Sequence, residues 1–180
     1  MSTKKQIVFL SGATGYIAQH ILKQLLATQK FKIIGSVRSE EKAQALAKNF
    51  DNSPDLSFVY VKDIADPKAF DAAFEEHGAK LDYVIHSASP FHFKVTDAKK
   101  DLIIPAEIGS AGIFKASVKY ATNLKHFVVT SSYAAVFDIL REEDKSLTLT
   151  EESWNPMEEA EAVTNPVFAY CYSKKVAEQT

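Results

Sequence analysis

A tyrosine and a lysine near the end of the chain have the spacing that proton transfer from a helix requires. Tyr170 and Lys174 lie four residues apart in the segment AYCYSKKVAE, so on a helix their side chains share one face. An ammonium beside a phenol stabilises the phenolate, and a tyrosine paired in this way can give a proton to a carbonyl oxygen near neutral pH. Lys174 could also hold the hydroxyls of a nicotinamide ribose. Tyr172 has Val176 at the corresponding position, so Tyr170 is the predicted proton donor.

Two serines directly follow an apolar run upstream of this segment. The run HFVVT, residues 126–130, is predicted to be a buried strand, and Ser131 and Ser132 come next. A serine just past the carboxyl end of a parallel strand faces the ligand crevice. Its hydroxyl can donate to a substrate carbonyl and support the developing oxyanion. Ser132 is the preferred candidate, and Ser131, with its side chain turned into the fold, is the alternative.

A glycine-rich turn near the N-terminus predicts a phosphate site. The turn Gly12-Ala13-Thr14-Gly15 separates the apolar run QIVFL from a predicted helix that starts at Ile17. Glycines let the backbone turn tightly and approach a pyrophosphate, and the helix directs its free N–H groups and positive dipole end at the same phosphates. An ordinary strand-to-helix turn is the alternative, but the position between a strand and a helix favours dinucleotide binding.

The residue after the second predicted strand indicates which dinucleotide binds. An acidic residue there would bind the ribose 2′-hydroxyl of NAD, but this chain has Arg38. A guanidinium suits a 2′-phosphate in both geometry and charge. Lys42 follows one helical turn later and could add a second cation. The sequence therefore favours NADP over NAD, although Glu40 and Glu41 could simply pair with both cations.

Four further residues could have a functional role or a purely structural one. Asp63 and Ile64 follow the third predicted strand, where a carboxylate can accept from the exocyclic amine of adenine; the alternative is that Asp63 caps a turn or helix. His86 ends the fourth strand and could touch the nicotinamide end, but a core histidine is the preferred interpretation. Trp154 is expected to anchor the long acidic segment 138–165 by packing.

The elements that must position these residues alternate between short apolar runs and amphipathic stretches. Strands are predicted at residues 6–10, 32–37, 57–61, 83–86 and 126–130, and helices at 17 to about 29, 40–49, 67 to about 77, 97 to about 120 and 166 to the end, with Ser39 as an N-cap, Gly78 as a C-cap and a kink or break at Pro105. This alternation predicts an α/β, Rossmann-type, doubly wound parallel sheet with helices on both faces. Its ligand crevice is expected at the carboxyl ends of the first and fourth strands.

Composition narrows the class of protein. The 180 residues are 46% hydrophobic and 24% charged with a net charge of −2, which predicts one globular domain over residues 1–180. The chain has no basic block, which argues against a nucleic-acid partner, and no apolar run long enough to span a membrane. Cys171 is the only cysteine, so no internal disulfide forms, and a cytoplasmic location is expected. The histidines show no metal-ligand spacing, so no metal is predicted.

Together these segments resemble the extended short-chain dehydrogenase/reductases, in the dihydroflavonol-4-reductase-like branch. Within that branch the likeness is closest to the NADPH-dependent methylglyoxal and aldehyde reductases of fungi. The matching stretches are SGATGYIAQHI, IIGSVRSEEKA, HSASPFHF, VVTSSYAAVFD, SLTLTEESWNP and AYCYSKKVAE, which extend from Ser11 to Glu178. Because they cover nearly the entire chain, their combination is more specific than any single motif.

The resemblance implies a reductase that transfers hydride from NADPH to a small aldehyde or ketone. Tyr170 would protonate the alkoxide, Ser132 would orient it, and Lys174 would assist the tyrosine. The NADP contacts that the resemblance implies come from Gly12, Ala13, Thr14, Gly15, Tyr16, Ile17, Arg38, Lys42, Asp63, Ile64, Tyr170 and Lys174. The cofactor carries the redox chemistry, and the protein contributes positioning and electrostatics.

Two departures from the family pattern keep other functions open. Family members carry an asparagine where this chain has Ile108, and isoleucine cannot hold a carbonyl or a water by hydrogen bonding. They also continue past Thr180 into the last sheet strands and most of the substrate pocket, so a C-terminal truncation is expected. One alternative is a non-catalytic or weakly active nucleotide-binding remnant. Another is an epimerase, dehydratase or hydroxysteroid dehydrogenase, against which SSYAAVFD and SLTLTEESWNP argue by analogy.

Overall fold

The computed structural model describes residues 4–91, 94–141 and 144–180. These residues form two compact units. One unit consists of the residues up to Ala88 together with Gly112–Thr130. The other consists of Ser89–Ala111 and Ser131–Thr180. His92 and Phe93, which belong to the matching stretch HSASPFHF, lie outside the described residues. The single domain over residues 1–180 stays a prediction.

A five-stranded parallel sheet forms the first unit. Its strand order is β3-β2-β1-β4-β5. The strands are β1 (Gln6–Ser11), β2 (Phe31–Val37), β3 (Leu56–Tyr60), β4 (Tyr83–His86) and β5 (His126–Val129). β1 pairs with β2 on one side and with β4 on the other, so the winding reverses at β1, as the doubly wound topology requires. The Rossmann-type parallel sheet predicted from the sequence is confirmed.

Alternate residues of β1 fill two separate hydrophobic cores. Val8 and Leu10 pack with residues of α1 (Tyr16–Ala27) and α2 (Glu40–Asn49), whereas Phe9 packs with α3 (Asp71–His77) and the part of α4 (Ile104–Tyr120) that belongs to this unit. Successive side chains of a strand point to opposite faces of the sheet, so helices cover both faces. Burying a side chain of this size fully contributes about 1.5–3 kcal/mol.

The helix before β4 begins later than predicted. The sequence placed its start at Pro67, but α3 begins at Asp71. The Asp66 carboxylate accepts from the Lys68 N–H at 2.9 Å, and the Ala69 N–H donates to the Asp66 carbonyl. These bonds close a tight turn, so the acidic residue before proline caps a turn here rather than a helix.

Gly78 follows the end of α3, as predicted, but for a different physical reason. Its φ of −52° is right-handed, and a 3₁₀ turn continues to Lys80. A Cβ at this position would lie 2.8 Å from backbone atoms of Tyr120. Close approach of two backbone segments therefore requires the glycine, not a left-handed helix cap.

The second unit is built around α6 (Pro166–Gln179). A one-turn helix, α5 (Glu159–Ala162), precedes it, and a π-helical turn at Lys99–Ile103 leads into α4. The helix predicted from residue 97 to about 120 is thus divided, as expected, next to Pro105, which sits in the first turn of α4 where its missing N–H is tolerated. Among the helices of the described residues, none combines the length and hydrophobicity of a membrane-spanning segment.

Asp82 joins three strands at the amino-terminal edge of the sheet. Its carboxylate accepts from the Ile7 N–H at 2.8 Å and lies 2.8 Å from Lys125 Nζ. The hydrogen bonds from Lys125 and from the Ile7 backbone hold the pKa of Asp82 below its ordinary value of 3.8. A carboxylate with a lowered pKa contributes stability that is present above pH 3.8 and is lost as the pH falls through the pKa of the folded state.

We expect Asp82→Asn to lower the free energy of unfolding by about 1 kcal/mol at neutral pH, because a partly exposed ion pair and a hydrogen bond are lost. Thermal melts at a series of pH values measure this. The Tm difference should shrink below pH 3.8, where the wild-type carboxylate becomes protonated. Glu75→Gln, at an exposed position in α3, is the control. A difference that is absent at pH 7, or that persists unchanged into strong acid, would contradict this role.

Candidate functional site

The turn between β1 and α1 presents backbone N–H groups at an exposed helix end. Gly12 has a φ of +65°, and a Cβ there would lie 2.8 Å from the Cα of Ala88, so the turn requires glycine. Gly15 occupies the N-cap and supplies no side-chain bond. Tyr16 and Ile17, the first residues of α1, are exposed. Their N–H groups lie at the positive end of the helix dipole, where a phosphate can bind.

Buried Ser11 fixes the end of β4 beside this turn. Its Oγ accepts from the N–H groups of Ser87 at 2.9 Å and Ala88 at 3.0 Å, and it lies 2.7 Å from His86 Nδ1. Because the two N–H donors use the lone pairs of the hydroxyl, the hydroxyl proton goes to Nδ1, and the ring proton is then on Nε2. His86 is 3% exposed and packs edge-on against Phe70. It is a core histidine, the interpretation that the sequence favoured.

Arg38 and Lys42 lie exposed at the start of α2. Ser39 caps this helix as predicted, since its Oγ accepts from the Lys42 N–H at 3.3 Å. Glu40 accepts from the Gln44 side chain at 3.2 Å. Within the described part of the chain, neither cation lies within ion-pair distance of a carboxylate. The pairing with neighbouring glutamates that the sequence left open is not formed, so both charges can meet a bound anion.

Asp63 lies beyond the end of β3 and caps a turn. Its Oδ1 accepts from the Ala65 N–H at 2.9 Å, which is the structural interpretation that the sequence left open. The side chain of Ile64 belongs to the core that contains Phe9. Contact of these residues with an adenine stays a prediction.

Tyr170 and Lys174 lie on one face of α6. Asn165 caps the helix, with its Oδ1 accepting from the Val167 N–H at 2.8 Å, and Pro166 is the first helical residue. The Nζ of Lys174 is 5.7 Å from the centroid of the Tyr170 ring. Lys174 is 9% exposed, and this burial lowers the pKa of its ammonium. The helix thus places a desolvated ammonium beside a half-buried phenol.

The second tyrosine of this segment has a different environment. Tyr172 packs against the core of the second unit. Burial, followed by the charges of Glu159, Glu158 and Glu107, raises the pKa of Tyr172. Both effects disfavour the phenolate, so Tyr172 is poorly suited to proton transfer. The Tyr170 ring, in contrast, contacts exposed Phe91 edge-on at 5.2 Å.

Ser131 and Ser132 have different partners. The Ser131 hydroxyl donates to the Glu178 carboxylate at the end of α6. Ser132 Oγ accepts from the Ala134 N–H at 3.2 Å, and no described residue accepts its proton. Ser132 opens a 3₁₀ turn, Tyr133–Ala135, that contacts α6. This difference favours Ser132 over Ser131 as a hydrogen-bond donor to a substrate.

Asn155 is a buried polar residue that the sequence analysis did not single out. It is 1% exposed, whereas Trp154, the expected packing anchor of the long loop, is 39% exposed. The anchor is the asparagine, because its amide and backbone groups bond within the second unit. The available signal was an asparagine directly before a proline, a pair that often forms side-chain-bonded turns.

The sequence profile of the NAD dependent epimerase/dehydratase family matches residues 8–180. The chain belongs to the NAD-dependent epimerase/dehydratase family. This confirms the resemblance to extended short-chain dehydrogenase/reductases that the sequence motifs indicated. One fold can host several reactions, so family membership alone does not determine which reaction a member catalyses.

Individual relatives are more specific than the family profile. The chain is 51% identical over 173 residues to the NADPH-dependent methylglyoxal reductase GRE2 of Saccharomyces cerevisiae, covering 96% of this chain and 50% of that protein. The crystal structure of the yeast methylglyoxal/isovaleraldehyde reductase Gre2 complexed with NADPH matches with a TM-score of 0.92 at 50% identity, over 97% of this chain and 51% of the other. Gre2 of Candida albicans in complex with NADPH matches with a TM-score of 0.90 at 43% identity and the same coverage. The chain spans about half the length of these relatives.

Proposed function

We propose that the protein is an NADPH-dependent oxidoreductase that reduces small aldehydes and ketones of the methylglyoxal type. The observation that carries this proposal is the arrangement on α6 of Tyr170 with desolvated Lys174. The identity to reductases whose names specify NADPH and methylglyoxal supports both the cofactor and the substrate class.

The residues of the first unit fit a dinucleotide phosphate. The N–H groups at the start of α1 would hold the pyrophosphate, and the charges of Arg38 and Lys42 would hold the 2′-phosphate. Asp63 and Ile64 would lie beside the adenine. Lys174, which belongs to the second unit, would hold the nicotinamide ribose. When bound, NADPH supplies the hydride.

The side chains of the second unit would handle the proton. As the substrate carbon accepts hydride, its oxygen becomes an alkoxide and takes the Tyr170 hydroxyl proton, which leaves a phenolate. Ser132 would donate a hydrogen bond to the same oxygen and stabilise its developing charge. The Lys174 ammonium stabilises the phenolate, and this interaction is stronger because burial excludes water from around the ammonium.

A non-catalytic nucleotide-binding domain is the second candidate, and Ile108 favours it. This residue of α4 is half-buried. The resemblance to the family implies an asparagine at this position, and isoleucine offers no hydrogen bond to a proton relay. The purified full-length protein should oxidise NADPH when given methylglyoxal or a branched aldehyde. NADPH binding in a fluorescence titration without turnover would support the second candidate, and absence of binding would contradict both.

A cytoplasmic location stays a prediction.

Arg38 provides a test of the cofactor. We expect Arg38→Ala to raise the KM for NADPH by about 10- to 100-fold, because a charge-assisted hydrogen bond to the 2′-phosphate is lost. The KM for NADH should hardly change, since NADH has no phosphate there. Steady-state kinetics with each cofactor measure the two effects. Lys48→Ala, a change of an exposed cation later in α2, is the control, and an equal loss with both cofactors would refute the assignment.

A further inference from the structure

Residues 155–157 form a strap within the second unit, and its first end holds the serine turn. The backbone N–H of Asn155 donates to the Ala135 carbonyl at 2.9 Å, and its Nδ2 donates to the Ala134 carbonyl at 3.1 Å. The N–H of Ala134 in turn donates to Ser132 Oγ. One buried asparagine thus donates to the carbonyl groups of Ala134 and Ala135, and Ala134 is the residue whose N–H bonds to the Ser132 side chain.

The other end of the strap is fastened to α6. The Met157 N–H donates to Asn155 Oδ1 at 2.9 Å, and the Met157 carbonyl accepts from Lys175 Nζ at 2.5 Å. Met157 also packs in a core with Ala169 of α6. Lys175 adjoins Lys174, so the strap reaches the helix segment that carries the proposed proton donor.

An asparagine is required at the centre of this arrangement. Its side chain must donate to one carbonyl and accept from one N–H at the same time, which an amide does and a carboxylate cannot. Asn155 is 1% exposed, so water cannot replace a lost partner, and a buried carbonyl without a donor is unfavourable. The two bonds therefore fix the distance between the serine turn and the strap.

We propose that Asn155 is a positioning residue for carbonyl reduction: it ties the turn that carries Ser132 to α6, and so holds the serine hydroxyl and the Tyr170 hydroxyl in register for one substrate oxygen. This inference rests on the proposed function. Asn155 touches neither the substrate nor the cofactor in this scheme. Its contribution passes through Ser132, which distinguishes it from a residue that only stabilises the fold.

Asn155→Asp in the full-length protein is the first test. The carboxylate still accepts from the Met157 N–H but repels the Ala134 carbonyl, so kcat for methylglyoxal should fall by about 10- to 100-fold, as for a misplaced catalytic group. The KM for NADPH should stay close to the wild-type value. Asn123→Asp is the matched control, since the Asn123 amide also donates to a carbonyl, that of Ala79 at 2.8 Å, but on an exposed turn of the first unit. It should leave kcat unchanged.

A double-mutant cycle with Ser132→Ala separates positioning from stability. In the Ser132→Ala background, Asn155→Asp should cause almost no further loss of kcat, because the group that it positions is already absent. The same fold-loss in both backgrounds would overturn the proposal. If Asn155→Asp does not fold, Lys175→Met releases the other end of the strap and should show the same loss and the same dependence on Ser132.

Hydrogen exchange distinguishes failure of the strap from failure of the proposed function. Asn155→Asp should speed amide exchange in residues 131–136, with or without carbonyl turnover, while the control Asn123→Asp should leave it unchanged. If the wild-type protein shows no turnover but the variant shows faster exchange, the proposed function is rejected, whereas the role of Asn155 in holding the serine turn is supported. If the wild-type enzyme is active and Asn155→Asp changes neither the exchange nor kcat, only the positioning role of Asn155 is rejected.

Discussion

Tyr170→Phe is expected to lower kcat for methylglyoxal reduction by about 10²- to 10⁴-fold, the range found when a positioned general acid is removed. The substitution keeps the ring and its edge-on contact with Phe91 but removes the proton that the alkoxide needs. The NADPH affinity should change little, since the glycine turn and Arg38 are intact. Steady-state kinetics and a fluorescence titration with NADPH measure the two quantities separately.

Tyr172→Phe is the matched control for this prediction. It removes a phenol hydroxyl from the same helix, but from a residue that packs in the core and whose pKa is raised by burial. We expect kcat to be nearly unchanged. Loss of activity in the Tyr172 variant, or full activity in the Tyr170 variant, would show that the proton donor has been assigned to the wrong residue.

Lys174→Met is expected to change activity and stability in opposite directions. Loss of the ammonium should lower kcat by about 100-fold, since the phenolate loses its electrostatic support. The same change should raise the free energy of unfolding by about 1–2 kcal/mol at pH 7, because an apolar side chain replaces a buried charge. Functional groups held at the expense of stability are common in active sites.

The pH dependence of this stabilisation has a defined sign. Burial lowers the pKa of Lys174 in the folded protein from the ordinary value of 10.5. The buried ammonium therefore lowers the free energy of unfolding by its full amount at any pH below the pKa of the folded state. This destabilisation disappears as the pH rises to 10.5, where the unfolded chain also loses its proton. Thermal melts of wild type and variant should thus converge in alkaline buffer. Lys175→Met, which removes the bond to the Met157 carbonyl, should lower the Tm, and a similar decrease for Lys174→Met would contradict the prediction.

Elements governed by local chemistry could be predicted from the sequence. Helix α2 and its Ser39 cap were placed correctly, because the capping serine bonds to a residue in the next turn. The pairing of Tyr170 and Lys174 could also be predicted, because helix geometry alone sets it. The burial of Lys174 could not, since it depends on how distant segments pack.

Contacts between distant residues explain what the sequence did not reveal. Asn155 bonds to Ala134 and Ala135 across a loop without periodic pattern, so no amphipathic signal marks it. The sequence indicates the larger Trp154 as the anchor instead. Tertiary contacts thus decided which of these two neighbouring residues anchors the loop.

The two cores that meet in β1 place a strict limit on the length of this strand. Val8 and Leu10 serve one face and Phe9 the other, so inserting or deleting a single residue in Gln6–Ser11 would send each side chain to the opposite layer. Replacement of one apolar residue by another is far less damaging than such a frame change. The glycine turn directly follows this strand. The number of residues in β1 therefore determines where a phosphate would bind as much as the glycines themselves do.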